Sequence, residues 1–273
     1  MVNEFLEKNL KQLGAGAAFL LVYVPTFIWM WDRWFARDSY YSHGILIPFV
    51  TIFLIWHQRE ELASTKKTNS ALGLPLIIVG MITHAFGSLM RVYFISGFSM
   101  LLVLTGLILY FYGRAVFKKI VFPILFLAFM IPVPLVIITN ISFKMKLFAA
   151  DIAASILNNS GIPAIQEGSI IRMRHTQVVV DDVCSGLRSL ISLMALGSIF
   201  AYWMKSVMIK RLILFLATIP IAIVTNVFRI IFLSSVAEIW GAQYAGGLFH
   251  DASGFLVFVV AFILLFMLGR ILE

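Results

Sequence analysis

Long apolar blocks alternate with short polar breaks along the chain, and the blocks predict about eight transmembrane helices. A helix needs roughly 20 apolar residues to cross a hydrocarbon core about 30 Å thick. The second block is short for a span, and we expect it to extend into the preceding YYSHG. The predicted spans lie near 13–31, 44–57, 71–88, 94–112, 119–138, 186–203, 211–233 and 251–270. We therefore predict an all-α polytopic membrane protein that forms a single membrane domain over residues 1–273.

The longest connection between predicted spans runs from about 139 to 185 and has two different patterns. Its first half, NISFKMKLFAADIAASILNNSG, carries apolar residues at helical spacing with Lys144, Lys146 and Asp151 between them. This pattern is typical of an amphipathic helix that lies in a membrane interface.

The second half of this connection, EGSIIRMRHTQVVVDDVCSG, alternates between apolar and polar residues. The alternation begins at Ile171 and leads into the apolar run 178–180. Thr176 and Gln177 suit a turn between the two parts. We therefore predict a small β-hairpin outside the membrane, directly before the sixth helix.

The composition agrees with lipid as the main solvent of this protein. Of its 273 residues, 61% are hydrophobic and 12% are charged, and the mean hydropathy is +0.98. A soluble domain of this size needs more polar surface. The net charge of +8 is explained by loop lysines and arginines that orient a membrane protein, so we predict no nucleic-acid partner.

The basic residues fall mainly in alternate connections, which predicts the orientation of the chain. Cytoplasmic connections of membrane proteins carry an excess of lysine and arginine. With both termini in the cytoplasm, the short outer loops hold only Arg33, Arg37 and Arg91. The inner side then holds Lys8, Lys11, Arg59, Lys66, Lys67, Arg114, Lys118, Lys119, Lys205, Lys210, Arg211 and Arg270.

Three polar residues at the outer ends of separate predicted helices are candidates for a reactive centre. Cys184, the only cysteine, stands before the sixth helix within DDVCSGLRSL, and it excludes an internal disulfide. Arg229 lies in the seventh helix, about 18 residues and ~27 Å beyond Arg211 at the inner side. His250 opens the eighth helix within FHDASGF. The topology therefore predicts that a thiol, a guanidinium and an imidazole lie at one bilayer depth on the outer side.

These three groups are the minimum for acyl transfer. A guanidinium or imidazolium near a thiol favours the thiolate, which is the nucleophile. Attack on a carbonyl forms an oxyanion that Arg229 could stabilise, while His250 could protonate the leaving amine. The roles of Arg229 and His250 could also be partly reversed, with Arg229 acting mainly on the pKa of the Cys184 thiol.

Each residue also has a less specific explanation. A single membrane cysteine is commonly an inert small hydrophobe, and a histidine at a helix mouth is commonly an interfacial anchor. An arginine within a span is costly and usually faces a partner or a cavity. Arg188, one turn beyond Cys184, is the rival cation, with a structural or substrate-positioning role. His175 and His43 are the rival bases on the outer side.

Several neighbouring residues are predicted to bind substrate or to support the centre. Gly186 would let a substrate backbone approach closely, and three aspartates either orient His250 or Arg229 or are simply solvated. No histidine or cysteine pair has the spacing of metal ligands, so we predict neither a metal nor another cofactor. The supporting residues are Ser185, Gly186, Arg188, Asn226 and Asp251, and the aspartates are Asp181, Asp182 and Asp251.

At these motifs the sequence resembles the exosortase/archaeosortase family of membrane cysteine transpeptidase-like proteins. The resemblance is carried by VDDVCSGLRSL, TNVFRI and HDASGF, with support from YSHGILIPF, FLAFMIPVP and GIPAIQEGSII. It covers nearly the whole chain in the same order. The family pattern implies Cys184 as nucleophile, with Arg229 and His250 completing a triad. Archaeal relatives commonly carry arginine in the third position, so His250 favours a bacterial source and an inner-membrane location.

The resemblance also implies a substrate class. Family members resemble sorting enzymes that recognise a C-terminal signal made of a short motif such as Pro-Glu-Pro, a transmembrane helix and a basic tail. The enzyme would cut near the motif and pass the new C-terminus to water, a lipid amine or a glycan. Membrane lipid and such substrate proteins are therefore the expected partners.

Two functions of other classes compete with this one. The first is a non-catalytic membrane component of exopolysaccharide assembly or export, for which Cys184 would be dispensable. The second is a small-molecule transporter in which Arg229 binds an anion. The transporter is disfavoured because the sequence lacks repeated halves with paired broken helices, and because its polar residues gather at the outer side only.

Overall fold

The computed structural model describes residues 2–37, 39–181 and 184–273, which are mostly helical. Short 3-10 turns at Ser42–Ile45 and Leu127–Met130 adjoin two of the helices. The α-helices are α1 (Val2–Val22), α2 (Val24–Trp34), α3 (Leu46–His57), α4 (Arg59–Ser64), α5 (Gly73–Leu89), α6 (Tyr93–Phe111), α7 (Gly113–Phe126), α8 (Leu135–Asn159), α9 (Leu187–Trp203), α10 (Met208–Trp240), α11 (Ala242–Ala245) and α12 (Gly247–Leu272). The strands are β1 (Ala164–Glu167), β2 (Ile170–Met173) and β3 (Gln177–Val179).

The chain forms two compact units, Met1–Val133 and Pro134–Glu273. The second unit contains Cys184, Arg229 and His250. The expectation of one membrane domain over the whole chain stays a prediction, because compactness alone does not show whether either unit folds by itself.

Helices occupy all eight predicted blocks, and two of these blocks are interrupted at prolines. The first block bends by 55° between Asn9–Val22 and Val24–Trp34, where Pro25 lacks the N–H that would continue the helix. The fifth block was predicted to run to residue 138, but its helical path ends at Met130. Pro132 and Pro134 explain the break, because the residue before a proline avoids helical dihedrals.

Three helices among the described residues are long and apolar enough to cross a membrane. They are Tyr93–Phe111, Met208–Trp240 and Ala252–Leu272, and the number rises to five if each of two bent helix pairs is one span. Shorter apolar helices cover Ser42–His57, Gly73–Leu89 and Leu187–Trp203. By length and composition these helices are candidate membrane spans.

The first unit pairs α5 and α6 closely over small residues. A Cβ added to Gly106 would lie 2.7 Å from Ile77, and one added to Gly80 would lie 2.6 Å from Val103. Buried hydroxyls are paired across helices, as between Tyr23 and Ser99 at 2.9 Å. In lipid the hydrophobic effect does not draw helices together. Helices associate there through close contacts between small residues and through hydrogen bonds between their hydroxyl groups.

The second unit surrounds its small sheet with α8 and α10. The predicted amphipathic segment forms α8, and its alanine-rich face packs with Ile171 of β2, Val180 and Cys184 in one buried cluster. The sheet is antiparallel with the order β1-β2-β3. The predicted hairpin is present as β2 and β3, and β1 is an additional strand that the alternation did not predict.

Helix α10 is longer than its predicted block, which ended at residue 233. It continues to Trp240, and this extension carries Glu238 to the turn between β2 and β3. Both carboxylate oxygens of Glu238 accept the backbone N–H of His175, at 3.1 and 3.2 Å. The extension therefore fixes the hairpin against the helix that carries Arg229.

Candidate active site

Cys184 lies in a tight turn that leads into α9. Its backbone N–H donates to the carbonyl of Asp181 at 2.9 Å, and the Ser185 hydroxyl accepts the backbone N–H of Leu187 at 3.3 Å. Gly186, with φ of +80°, is the residue before the helix. Only glycine adopts this left-handed conformation without strain, so the CSG sequence places the thiol at the start of the helix.

Asn226 of α10 holds this turn from the opposite side. It is 2% exposed, and its side-chain amide donates to the carbonyl of Cys184 at 2.8 Å. A Cβ on Gly186 would lie 2.9 Å from Cγ of Asn226. Gly186 therefore allows Asn226 of the same chain to lie close to it, whereas the approach of a substrate backbone at this glycine stays a prediction.

Arg229 lies one turn beyond Asn226 on α10 and is 8% exposed. Its Nε donates to the hydroxyl of Ser253 at 3.1 Å, and its Nη2 donates to the carbonyl of His250 at 3.1 Å. Gly254 adjoins the guanidinium, since a Cβ there would lie 3.3 Å from Nη2. No carboxylate pairs with Arg229 in the described part of the chain. The guanidinium is therefore held by hydrogen bonds to residues of α12.

His250 joins the other two residues through one atom. Its Nε2 lies 3.1 Å from the Cys184 thiol and 3.2 Å from Nη2 of Arg229. A guanidinium can only donate hydrogen bonds, so Nε2 is the acceptor and carries the lone pair. We assign the proton of the neutral ring to Nδ1 on this geometry. The lone pair therefore faces the thiol proton, as a general base requires.

Burial raises the pKa of the Cys184 thiol above its ordinary value, and this effect outweighs the others. The guanidinium of Arg229 lowers the pKa, the Asp181 carboxylate raises it, and the backbone hydrogen bond at Asp181 lowers it. The expected effect of Arg229 on the pKa of the thiol is therefore present, but the effect of burial is larger. The imidazole of His250 is the base that lies within reach of the thiol.

A cavity of about 220 Å³ opens beside the thiol. Cys184 and His250 lie in its wall. The other residues that line it are Gln177, Val178, Val179, Val180, Asp181, Ile230, Leu233, Ala237, Ala242, Ala245 and Gly246. A peptide entering the cavity would meet the thiol and the imidazole together.

The remaining predicted residues are the rival cation, the two rival bases and two aspartates. Arg188 is half-buried on α9, and its Nε has no partner within the described residues. His175 is exposed on the hairpin turn, and His43 belongs to the first unit, where it stacks on Tyr41. Asp182 and the side chain of Asp251 lie outside the described residues.

The structure adds Ser253 and Gly254 as contacts of the guanidinium. Ser253 is 4% exposed, and its hydroxyl also donates to the carbonyl of His250 at 2.8 Å. Both residues lie in the HDASGF motif, but the sequence predicted roles only for its histidine and its aspartate. Their one-turn spacing from His250 on a helix was the signal that could have identified them.

Together the fold and the site define a helical membrane protein with a buried thiol, imidazole and guanidinium centre. The model of the transmembrane exosortase family (Exosortase_EpsH) matches residues 31–267, and the chain belongs to this family. No curated protein and no solved structure matches the chain. Family membership supports a membrane sorting enzyme in general.

Proposed function

We propose that this protein is a membrane-embedded cysteine protease or transpeptidase that cleaves the C-terminal sorting signals of exported proteins. The observation that carries the proposal is the 3.1 Å contact between the Cys184 thiol and Nε2 of His250. In this arrangement the imidazole nitrogen can take the thiol proton and so generate the nucleophile.

The reaction begins when Nε2 of His250 takes the thiol proton and the sulfur attacks the scissile carbonyl. The tetrahedral oxyanion is stabilised by Arg229, whose Nη1 donates to no other group in the described part of the chain. Collapse breaks the C–N bond, and the imidazolium gives its proton to the leaving amine. The product is a thioester between Cys184 and the exported protein.

The second half of the reaction resolves the thioester. Water or an acceptor amine loses a proton to His250 as it attacks the thioester carbonyl, and the thiol regains that proton when the C–S bond breaks. Water gives hydrolysis, whereas a lipid amine or a glycan gives transfer. The chemistry of Cys184, Arg229 and His250 is the same in each case.

We propose eight spans, with both termini in the cytoplasm of a bacterium and the reactive centre on the outer side of the inner membrane. The eight helical blocks and the distribution of lysine and arginine support this arrangement. A substrate that carries a motif such as Pro-Glu-Pro, a transmembrane helix and a basic tail would reach the centre by lateral diffusion. Its scissile bond would then lie at the same depth as Cys184.

The proposal is tested by co-expressing the full chain with a reporter that carries such a tripartite tail. We expect the wild-type protein to shorten the reporter, whereas Cys184→Ala abolishes processing because the nucleophile is lost. His57→Gln, at an exposed histidine in the first unit, is the control and should process normally. The mass of the product's C-terminus distinguishes hydrolysis from transfer.

Continued processing by Cys184→Ala at equal membrane abundance would contradict the cysteine mechanism. That outcome would favour a non-catalytic role in exopolysaccharide assembly or export, for which the thiol is dispensable. His250→Gln should abolish processing as well, because no base would then face the buried thiol.

A further inference from the structure

Strand β3 is an edge of the sheet, and one side of its backbone is unpaired. Alternate residues of this segment form the hydrogen-bonded pairs with β2. The carbonyl of Thr176 accepts from the N–H of Met173 at 2.9 Å, and the N–H of Val180 donates to the carbonyl of Ser169 at 2.8 Å. Val178 lies opposite Ile171 between these two bonds. In an antiparallel pair, the residues that alternate with the hydrogen-bonded ones direct their backbone N–H and C=O groups away from the partner strand. Gln177 and Val179 are those residues, and none of the described residues bonds to their backbone groups.

The unpaired edge belongs to the segment that lines the cavity beside Cys184. Residues 177–181 form one wall of this cavity, and Ile230, Leu233 and Ala237 of α10 belong to its lining as well. The side chain of Val179 is 50% exposed. A chain lying along Val179 would therefore have backbone partners beside it and small or apolar side chains nearby.

We propose that the substrate segment upstream of the scissile bond docks as an additional strand on the open edge of β3. This inference rests on the proposed function, since it names how the same site holds its substrate. An extended polypeptide presents alternating N–H and C=O groups at the spacing that Gln177 and Val179 offer. An open strand edge usually exposes a protein to pairing with other chains and to aggregation. Beside a reactive thiol, the same open edge would bind the substrate.

The position of the hairpin sets the direction of the added strand. Its turn is fixed at Glu238, nine residues or about 14 Å along α10 beyond Arg229, so β3 approaches Cys184 from the outer end of that helix. A substrate with its C-terminal helix in the membrane must run in the same direction. The added strand is therefore parallel to β3, and the residue beside Val179 lies before the scissile bond in the substrate sequence.

Disulfide crosslinking tests this register without any catalysis. Because Cys184 is the only cysteine, Cys184→Ala removes all thiols, and Val179→Cys then supplies a single one. The probe is the tripartite-tailed reporter, with one cysteine moved residue by residue through the segment before its helix. We expect the strongest crosslink at one reporter position, weaker ones two residues to either side and little at the positions between, because neighbouring residues of a strand face opposite sides and a disulfide needs close Cβ atoms. Crosslinks of equal strength at all positions, or none at any position, would overturn the added strand.

Proline substitution tests the backbone contact itself. Val179→Pro removes an N–H that β2 does not use, so the sheet keeps its internal bonds, as edge strands allow. Val179→Ala shortens the same side chain but keeps the N–H. In the Cys184→Ala background, we expect Val179→Pro to reduce co-purified reporter about tenfold and Val179→Ala to reduce it at most about threefold. Equal retention by the two variants would overturn the proposal.

The outcomes separate this inference from the proposed function. If Cys184→Ala abolishes processing while Val179→Pro processes normally, the cysteine mechanism stands and strand docking is wrong. If crosslinks alternate but Cys184→Ala still processes the reporter, strand docking stands and the cysteine mechanism is wrong.

Discussion

At the residue scale, the reactive centre depends on a single ring nitrogen. Nε2 of His250 accepts from Arg229 and lies 3.1 Å from the thiol of Cys184, so in the proposed mechanism this one lone pair would receive the thiol proton. The sequence predicted the three residues and the chemistry they could perform. It could not predict that burial would shift the pKa of the thiol more than the guanidinium does, because desolvation depends on the surrounding packing.

The raised pKa of the Cys184 thiol predicts how its reactivity depends on pH. A raised pKa keeps the thiol protonated at neutral pH, so alkylation should be slow there and should accelerate as the pH rises past the ordinary thiol value of about 8.5. Arg229→Gln should move the midpoint further up, because the guanidinium lowers this pKa. Iodoacetamide labelling of the purified protein over a pH series measures both effects.

Arg188→Gln is the matched control for this measurement, since Arg188 is the rival cation but does not contribute to the shift in the pKa of the Cys184 thiol. Its midpoint should equal that of the wild type. A midpoint below the ordinary thiol value in the wild-type protein would show that a thiolate is already present and would contradict the base role of His250.

At the element scale, the turn before α9 and the long helix α10 form one support for the thiol. Asn226 reaches from α10 to the carbonyl of Cys184, and Gly186 allows this contact. Farther along α10, Glu238 holds the hairpin turn through the N–H of His175. The apolar pattern predicted a helix here, but the extension contains Ser234, Ser235 and Glu238, so hydropathy alone ended the span too early.

Gly186→Ala should disrupt this support more than an ordinary glycine replacement. The new Cβ is strained by the φ of +80° and would also lie 2.9 Å from Asn226. Gly161 has a φ of +88° with open space around it, so Gly161→Ala carries only the conformational cost of about 1 kcal/mol. We expect Gly186→Ala to lower the melting temperature further and to lose most reporter processing.

Thermal unfolding of the two variants in detergent, followed by the processing assay, compares these costs. Equal destabilisation by Gly186→Ala and Gly161→Ala would show that the turn yields to the added methyl group. The contact between Asn226 and Cys184 would then not be a rigid support for the thiol.

At the scale of the whole molecule, the proposed membrane orientation rests on the distribution of charge and can be measured directly. In the Cys184→Ala background, Arg174→Cys on the hairpin should react with a membrane-impermeant maleimide in intact spheroplasts. Lys66→Cys, after α4, should react only after the membrane is permeabilised, because cytoplasmic loops carry the basic excess. Both positions are exposed. Labelling of Lys66→Cys in intact spheroplasts would contradict the proposed orientation.

The sequence by itself determined the helical membrane class, the helical blocks, the hairpin before α9 and the candidates Cys184, Arg229 and His250. These features depend on hydropathy, alternation and residue chemistry, which are local properties of the chain. Only the tertiary structure decided the shared contact at Nε2, the support from Asn226 and Ser253, and the third strand with its open edge. Those features depend on distances between segments far apart in the chain, and an apolar pattern contains no information about such distances.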